Sequence, residues 1–194
     1  MSAKWTPEDR APRRHHETAV ASRKGLVIVY TGDGKGKTTA ALGLAFRALG
    51  RKQRVAIVQF IKGKWKTGEH EFAKELAGRI DFLPMGDGFT WITQNYEQDV
   101  ASARKAWEKC LEVLADERYQ IVIFDELCYV LKYNFLAVHD VLEGLKRKPV
   151  RTHVVMTGRE APNVLIAAAD LVTEMREIKH PYQAGIKAQP GIDY

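Results

Sequence analysis

The chain has 194 residues, of which 45% are hydrophobic and 28% are charged, a balance typical of a globular domain. That balance excludes intrinsically disordered and collagen-like chains, and a total of two cysteines, Cys110 and Cys128, excludes a disulfide scaffold. No apolar run approaches the roughly 18 to 20 residues that a membrane-spanning helix needs. We therefore expect a cytoplasmic protein with no membrane partner.

The net charge of +6 is weighted toward the amino-terminal end, where residues 1–24 hold six Lys or Arg and three acidic residues. We predict a basic, flexible N-terminal segment over residues 1–24 and a single domain over residues 25–194. A basic segment can bind nucleic acid or acidic lipid, but such segments are more often simply solvated. The excess of positive charge is small, and it is as compatible with binding of anionic small molecules as with binding of nucleic acid.

From residue 25 onward, short apolar runs alternate with amphipathic stretches, as in proteins built from βαβ units. The predicted strands are residues 26–30, 55–61, 80–83, 121–124, 150–156 and 171–174, and the clearest helices are 38–49 and 98–115. This pattern predicts an α/β fold in three layers, with a mainly parallel sheet flanked by helices. The tail over residues 180–194 carries apolar anchors, and we expect it to lie across the domain and cover a site.

Residues 31–39 read TGDGKGKTT between the first predicted strand and the first predicted helix, which is the context of a P-loop. The order of elements therefore predicts a P-loop NTPase-like, RecA-like fold. Lys37 would reach the outer phosphates of ATP, and the Thr38 hydroxyl would bind Mg²⁺. Thr31 departs from the usual pattern, because a glycine normally stands there. The predicted ATP-binding residues are Gly32, Asp33, Gly34, Lys35, Gly36, Lys37, Thr38 and Thr39.

An acidic pair, Asp125 and Glu126, follows the buried run over residues 121–124, as in a Walker B strand. The carboxyl ends of parallel strands line the ligand crevice, so either carboxylate would meet Mg²⁺ near Thr38. We assign the metal to Thr38 and Glu126, with Asp125 as the alternative.

The segment over residues 84–96 combines two glycines with three aromatic residues. Such a loop either folds its rings into the core or presents a flat apolar wall to a large planar ligand. Sequence physics leaves both alternatives open.

Six motifs together resemble the ATP:corrinoid adenosyltransferases of the BtuR/CobA/CobO family. They span most of residues 25–194, and any one of them alone would mean little. In chain order the motifs are GDGKGKTT at 32–39, VQFIKG at 58–63, GFTW at 88–91, DEL at 125–127, TGR at 157–159 and AGIKAQ at 184–189.

The resemblance implies an enzyme that transfers the 5′-deoxyadenosyl group of ATP, with Mg²⁺, to the Co(I) of a corrinoid and releases triphosphate. The corrinoid would be cobalamin, cobinamide or cobyrinic acid a,c-diamide. Lys37, Glu126, Phe89 and Trp91 would be catalytic, with Phe89 and Trp91 displacing an axial ligand of cobalt and Arg159 also binding the corrinoid. The matching segments also contain Lys62, Arg159 and His180. Contact with phosphate or corrinoid and simple solvation explain these three side chains equally well.

The resemblance also implies a homodimer and a reduced flavoprotein as electron donor. Two alternatives remain open from the residues themselves. One is a P-loop kinase or NTPase that acts at the γ-phosphate. The other is a nucleotide-dependent protein that binds nucleic acid through its basic amino-terminal segment.

Overall fold

The computed structural model describes residues 24–61, 67–86 and 95–194, and in these ranges six parallel strands form one sheet. The order across the sheet is β3-β2-β4-β5-β1-β6, so the first strand lies between the two last ones. The strands are β1 (Val27–Thr31), β2 (Val55–Gln59), β3 (Ile80–Pro84), β4 (Ile121–Asp125), β5 (His153–Thr157) and β6 (Leu171–Glu174).

Helices cover both faces of this sheet. They are α1 (Lys37–Gly50), α2 (Gly68–Glu75), α3 (Tyr96–Ala115), α4 (Leu127–Lys132), α5 (Val138–Lys146) and α6 (Asn163–Ala168), and a short 3₁₀ turn (Pro181–Ala184) follows β6. Helices α1 and α2 pack on one face with alternate strand residues such as Ile57 and Ile123. Helices α3 to α6 pack on the other face around Trp107 and Phe124. The predicted three-layer α/β fold is confirmed, and every strand pairing among the described residues is parallel.

The strands show why the sequence alternates as it does. The central strands β2 and β4 are buried along their whole length, because helices cover them on both sides. The edge strand β6 is exposed throughout.

Both cysteines lie in the buried interior, and burial raises the pKa of Cys128 to about 12, as expected of an unreactive core thiol.

Two predicted strand boundaries were wrong. Residues 60 and 61 are buried but lie beyond β2, which ends at Gln59. Residues 150–152 belong to a turn before β5, and Val150 is 75% exposed although it is apolar. In both places apolar residues continue past the end of the strand. The sequence pattern cannot distinguish such residues from those of the strand itself.

Of the predicted N-terminal segment, only Lys24 lies within the described residues, and its ammonium pairs with the Asp170 carboxylate. Within the described ranges, no helix combines the length and the apolar character needed to cross a membrane. The longest of them, α3, carries charged side chains along its length.

A histidine fixes the start of β1 at the edge of the sheet opposite the phosphate loop. The Leu26 N–H donates to His153 Nδ1 at 3.1 Å, a bond that only a neutral imidazole can accept. Burial lowers the pKa of His153, and Lys148 acts in the same direction. The native state therefore resists protonation of this ring.

We predict that His153→Ala lowers the free energy of unfolding at pH 8 by about 1 kcal/mol, because the Leu26 N–H loses its acceptor. This cost should shrink as the pH falls below 6.5, the ordinary value of the imidazole. There the unfolded wild type binds a proton that the native state resists, so the wild type loses stability. Urea unfolding at several pH values measures both effects, with the exposed His139→Ala as control. A cost that does not change with pH would contradict the prediction.

Candidate active site

The phosphate loop, residues 32–36, connects β1 to α1 at the carboxyl edge of the sheet. Gly36 caps α1 with a φ of 118°, and Lys37 is the first helical residue. The Lys37 ammonium donates to the carbonyl oxygens of Gly32 at 2.7 Å and Gly34 at 2.8 Å. The loop is therefore closed around its own lysine.

Glycines are required in this loop for packing as well as for phosphate access. Gly32 has a φ of +94°, and a Cβ there would lie 2.4 Å from the Met175 carbonyl oxygen. A Cβ on Gly34 would lie 2.7 Å from the backbone of Arg176, and the Gly34 N–H donates to the Met175 carbonyl. Residues 175 and 176, which follow β6, thus support the outer side of the phosphate loop.

Thr31, the departure from the usual loop pattern, has a structural role. Its side chain is buried, and its hydroxyl accepts a hydrogen bond from the Ala161 N–H at 3.0 Å. Its carbonyl accepts from the Met175 N–H at 2.8 Å. A glycine here would lose the link to the segment after β5.

Asp125, the last residue of β4, is 1% exposed and accepts three side-chain hydrogen bonds. Its Oδ1 accepts from the hydroxyls of Thr38 and Thr157, both at 2.8 Å, and its Oδ2 accepts from Gln59 Nε2 at 2.9 Å. Donors from α1, β5 and β2 therefore compensate the buried carboxylate. This network holds the Thr38 hydroxyl at the base of the loop.

Glu126 is the residue between β4 and α4, and it adopts a left-handed conformation with a φ of 61°. This conformation is uncommon for a residue other than glycine, and its cost is typically tolerated at functional sites. The Glu126 N–H donates to the Thr157 hydroxyl at 2.9 Å, which joins it to the Asp125 network. Its side chain lines the cavity described next.

A cavity of about 770 Å³ opens beside the phosphate loop. Its lining includes two tyrosines of the α4 region, Tyr129 and Tyr133, whose rings lie 4.6 Å apart, and the cations Lys35, Lys37, Lys132 and Arg159. Residues 191–194 of the tail complete the wall. The cavity thus offers cations to an anionic group and flat rings to a planar one.

The charge of Lys37 is set by opposing influences. Burial lowers the pKa of Lys37 and is the largest influence, and the nearby Arg159 guanidinium acts in the same direction. The Glu126 and Asp33 carboxylates raise that pKa. An anionic ligand in the cavity would add to the stabilisation of the ammonium form.

The oxygen ligands at this edge fit Mg²⁺. The Thr38 hydroxyl and the Asp125 and Glu126 carboxylates are hard oxygen donors, which Mg²⁺ prefers. Among the described residues, no group of three or more His, Cys, Asp or Glu side chains is placed to hold a metal ion. A magnesium ion here would therefore depend on the phosphates of a nucleotide for part of its coordination.

The structure brings most of the predicted site residues together. The cavity is lined by seven of them: Lys35, Gly36, Lys37, Thr38, Thr39, Glu126 and Arg159. Gly32 and Gly34 form the back of the loop, and Asp33 is exposed. His180 caps the 3₁₀ turn through Nδ1, which accepts from the Tyr182 N–H, and it does not line the cavity. The predicted residues Lys62, Phe89 and Trp91 lie outside the described residues.

Sequence reasoning assigned no role to Gln59 or Thr157, although both stand in the motifs that carry the resemblance. The signal was available, since each is a polar residue at the carboxyl end of a buried strand. It also missed Asp193, which pairs with Lys35, and the aromatic side of the cavity. The Asp193 pair joins residues 158 positions apart, so no local pattern reveals it.

Known proteins are similar to this chain over most of its length. The model of the family described as ATP:corrinoid adenosyltransferase BtuR/CobO/CobP matches residues 23–194. A corrinoid adenosyltransferase of Sinorhizobium sp is 48% identical over 187 residues, which are 95% of this chain and 87% of that protein. A corrinoid adenosyltransferase of Escherichia coli strain K12 is 44% identical over 171 residues, 88% of this chain and 86% of that protein.

One solved structure is similar in fold. The flagellar accessory protein FlaH from Methanocaldococcus jannaschii aligns with a TM-score of 0.51 and 14% identity, over 78% of this chain and 71% of FlaH. At that identity the likeness concerns the fold alone, and it supports the predicted P-loop NTPase-like architecture.

We predict that Thr157→Val lowers the free energy of unfolding by about 1–3 kcal/mol, because the part-buried Glu126 N–H loses the Thr157 hydroxyl as acceptor and the buried Asp125 has one donor fewer. Thr157→Ser keeps the hydroxyl and should unfold close to the wild type. Urea unfolding monitored by fluorescence measures the difference. Equal midpoints for the two variants would show that the hydroxyl does not support the network.

Proposed function

The chain belongs to the ATP:corrinoid adenosyltransferase family, and from that premise we propose that it transfers the 5′-deoxyadenosyl group of ATP to the Co(I) of cobalamin, cobinamide or cobyrinic acid a,c-diamide. The bond between C5′ and the triphosphate oxygen breaks, a bond between cobalt and C5′ forms, and inorganic triphosphate leaves. The electron pair of the new bond comes from Co(I), so no general base is required. Adenosylcobalamin or its precursor is the product.

The observation that carries the proposal is the number of cations that line the cavity beside the phosphate loop. Attack at C5′ makes the whole triphosphate the leaving group, so charge must be stabilised along its full length. Lys35, Lys37 and Arg159 all line the cavity there. A γ-phosphoryl transferase needs such groups mainly at the outer phosphate.

The phosphate loop and the residues next to it have separate tasks in this proposal. Lys37, now bonded to the loop carbonyls, exchanges these acceptors for phosphate oxygens when the nucleotide binds. Asp125 orients the Thr38 hydroxyl. Bound Mg²⁺ would supply further charge neutralisation, and Thr38 with Glu126 or Asp125 would hold it. Amide groups of the loop other than that of Gly34, which donates to the Met175 carbonyl, complete the phosphate cradle.

The corrinoid is proposed to lie against the aromatic part of the cavity wall. Tyr129 and Tyr133 offer flat apolar surface there, and Arg159 offers a cation for the polar rim of the corrinoid. We further propose that Phe89 and Trp91, the aromatic pair of the family, displace the axial ligand of cobalt. Loss of a donor ligand favours reduction of Co(II) to Co(I), as axial ligands tune haem potentials.

Family resemblance motivates the remaining proposals. These are a homodimer and a reduced flavoprotein that supplies the electron. The cytoplasmic location, which the apolar pattern of the sequence predicts, is proposed as well. We also propose that residues 25–194 form one domain, since a single sheet and its two helical layers include every described strand and α-helix of that range.

The reaction is tested by anaerobic incubation with MgATP and chemically reduced cobalamin. Absorbance follows the cobalt–carbon product, and ion chromatography identifies the phosphate product. Adenosylcobalamin with stoichiometric triphosphate is expected. ADP and phosphate with unchanged cobalamin would instead indicate an NTPase that acts at the γ-phosphate.

We predict that Lys37→Ala lowers the rate of adenosyl transfer about 100- to 1000-fold, as is typical when a group that stabilises a developing anion is removed. The same anaerobic assay measures the rate. Lys105→Ala, an exposed lysine on α3, is the control and should retain wild-type activity. A loss of less than ten-fold in folded Lys37→Ala protein would contradict the role.

We predict that Phe89→Ala and Trp91→Ala reduce the reaction that starts from Co(II) far more than the reaction supplied with chemically prepared Co(I). The reason is that ligand displacement assists reduction and not the later attack at C5′. Phe72→Ala removes an exposed aromatic ring from α2 and should leave both assays unchanged. Equal losses in the two assays would argue against ligand displacement.

A further inference from the structure

The last six residues fold into a hydrogen-bonded turn, which we name the C-terminal turn, residues 189–194. The N–H groups of Ile192 and Asp193 donate to the Gln189 carbonyl at 3.2 and 2.9 Å. The Gln189 N–H in return donates to Asp193 Oδ2 at 2.8 Å, and the Gly191 N–H donates to a Tyr194 oxygen at 2.8 Å. These bonds give the turn a defined shape although it belongs to no helix or strand.

The C-terminal turn contacts the phosphate loop through one ion pair. Asp193 Oδ1 lies 2.5 Å from the Lys35 ammonium. The bond to Lys35 and the Gln189 N–H both lower the pKa of Asp193, so the carboxylate is ionised at neutral pH. One carboxylate oxygen is thus held by the turn, while the other holds a lysine of the loop.

The same turn forms part of the wall of the nucleotide cavity. Residues 191–194 line it together with Glu126 and Arg159. The Lys35 side chain is 42% exposed, so without Asp193 its ammonium would move freely among rotamers. A lysine ammonium has three N–H donors, and it can keep Asp193 as one partner while it donates to a phosphate oxygen.

We propose that the C-terminal turn is a wall of the ATP site and that Asp193 is a positioning residue, which holds Lys35 ready for the triphosphate. This rests only on the nucleotide-binding part of the proposed function. Because the Lys35 side chain is already ordered, ATP binding loses less conformational freedom at this residue. Asp193 itself need not contact the nucleotide.

The test is a double-mutant cycle on the Kd for MgATP, measured by isothermal titration calorimetry with no corrinoid present. Asp193→Ala should raise the Kd about five-fold, the upper range for a partly exposed ion pair. Lys35→Ala should raise it at least as much. In the Lys35→Ala background, Asp193→Ala should cause no further change, since the residue that it positions is absent.

Two further variants separate positioning from mere structure. Asp193→Asn keeps an oxygen for the Gln189 N–H but loses the negative charge. The turn should therefore persist while the bond to Lys35 weakens. Its Kd for MgATP should lie between those of the wild type and Asp193→Ala. Glu177→Gln changes another tail carboxylate, one that accepts from Gln183 and does not line the cavity, and it should bind MgATP as the wild type does.

The outcomes also distinguish this inference from the proposed function. An unchanged Kd in Asp193→Ala, or an equal change in the wild-type and Lys35→Ala backgrounds, would overturn the positioning role even if adenosyl transfer proceeds normally. A Kd that follows the expected pattern in a protein that forms no adenosylcorrinoid would overturn the proposed reaction and support the role of Asp193.

Discussion

The geometry of the active site depends on the Asp125 carboxylate, which is almost completely removed from water. A buried charge of this kind is tolerated only when hydrogen-bond donors surround it. Thr38, Gln59 and Thr157 supply those donors from α1, β2 and β5. The carboxylate therefore fixes the start of α1 relative to two strands, and with it the direction in which the phosphate loop faces.

The phosphate loop is also held in shape before any nucleotide binds. Residues 175 and 176 support it from outside, and the Lys37 ammonium closes it from inside. A preformed loop loses little conformational entropy on binding, which favours affinity for the phosphate chain. The glycines serve both purposes, because a side chain at Gly32 would collide with the supporting backbone whether or not phosphate is bound.

The sequence predicts the site as far as its parts are local. The loop, the helix after it and the acidic pair at residues 125 and 126 are contiguous patterns, and the structure places them at one edge of the sheet. The prediction did not extend to Thr157 as a donor to Asp125 or to Asp193 as a partner of Lys35, because both contacts join distant parts of the chain. The carboxyl end of β2 and the start of β5 were misplaced, because buried or apolar residues continue beyond the hydrogen-bonded strands.

The position of β1 between β5 and β6 has a consequence for biosynthesis of the protein. The loop sequence leaves the ribosome early, but both strands that flank β1 and the supporting residues 175 and 176 are made last. Contacts between such distant segments form slowly, since a long stretch of chain must be ordered before they are gained. A nascent chain that extends only to α5 contains every residue of the phosphate loop but lacks residues 175 and 176, which support the loop from outside. Competence to bind ATP should therefore arise only after residues 175 and 176 have left the ribosome, in one late step.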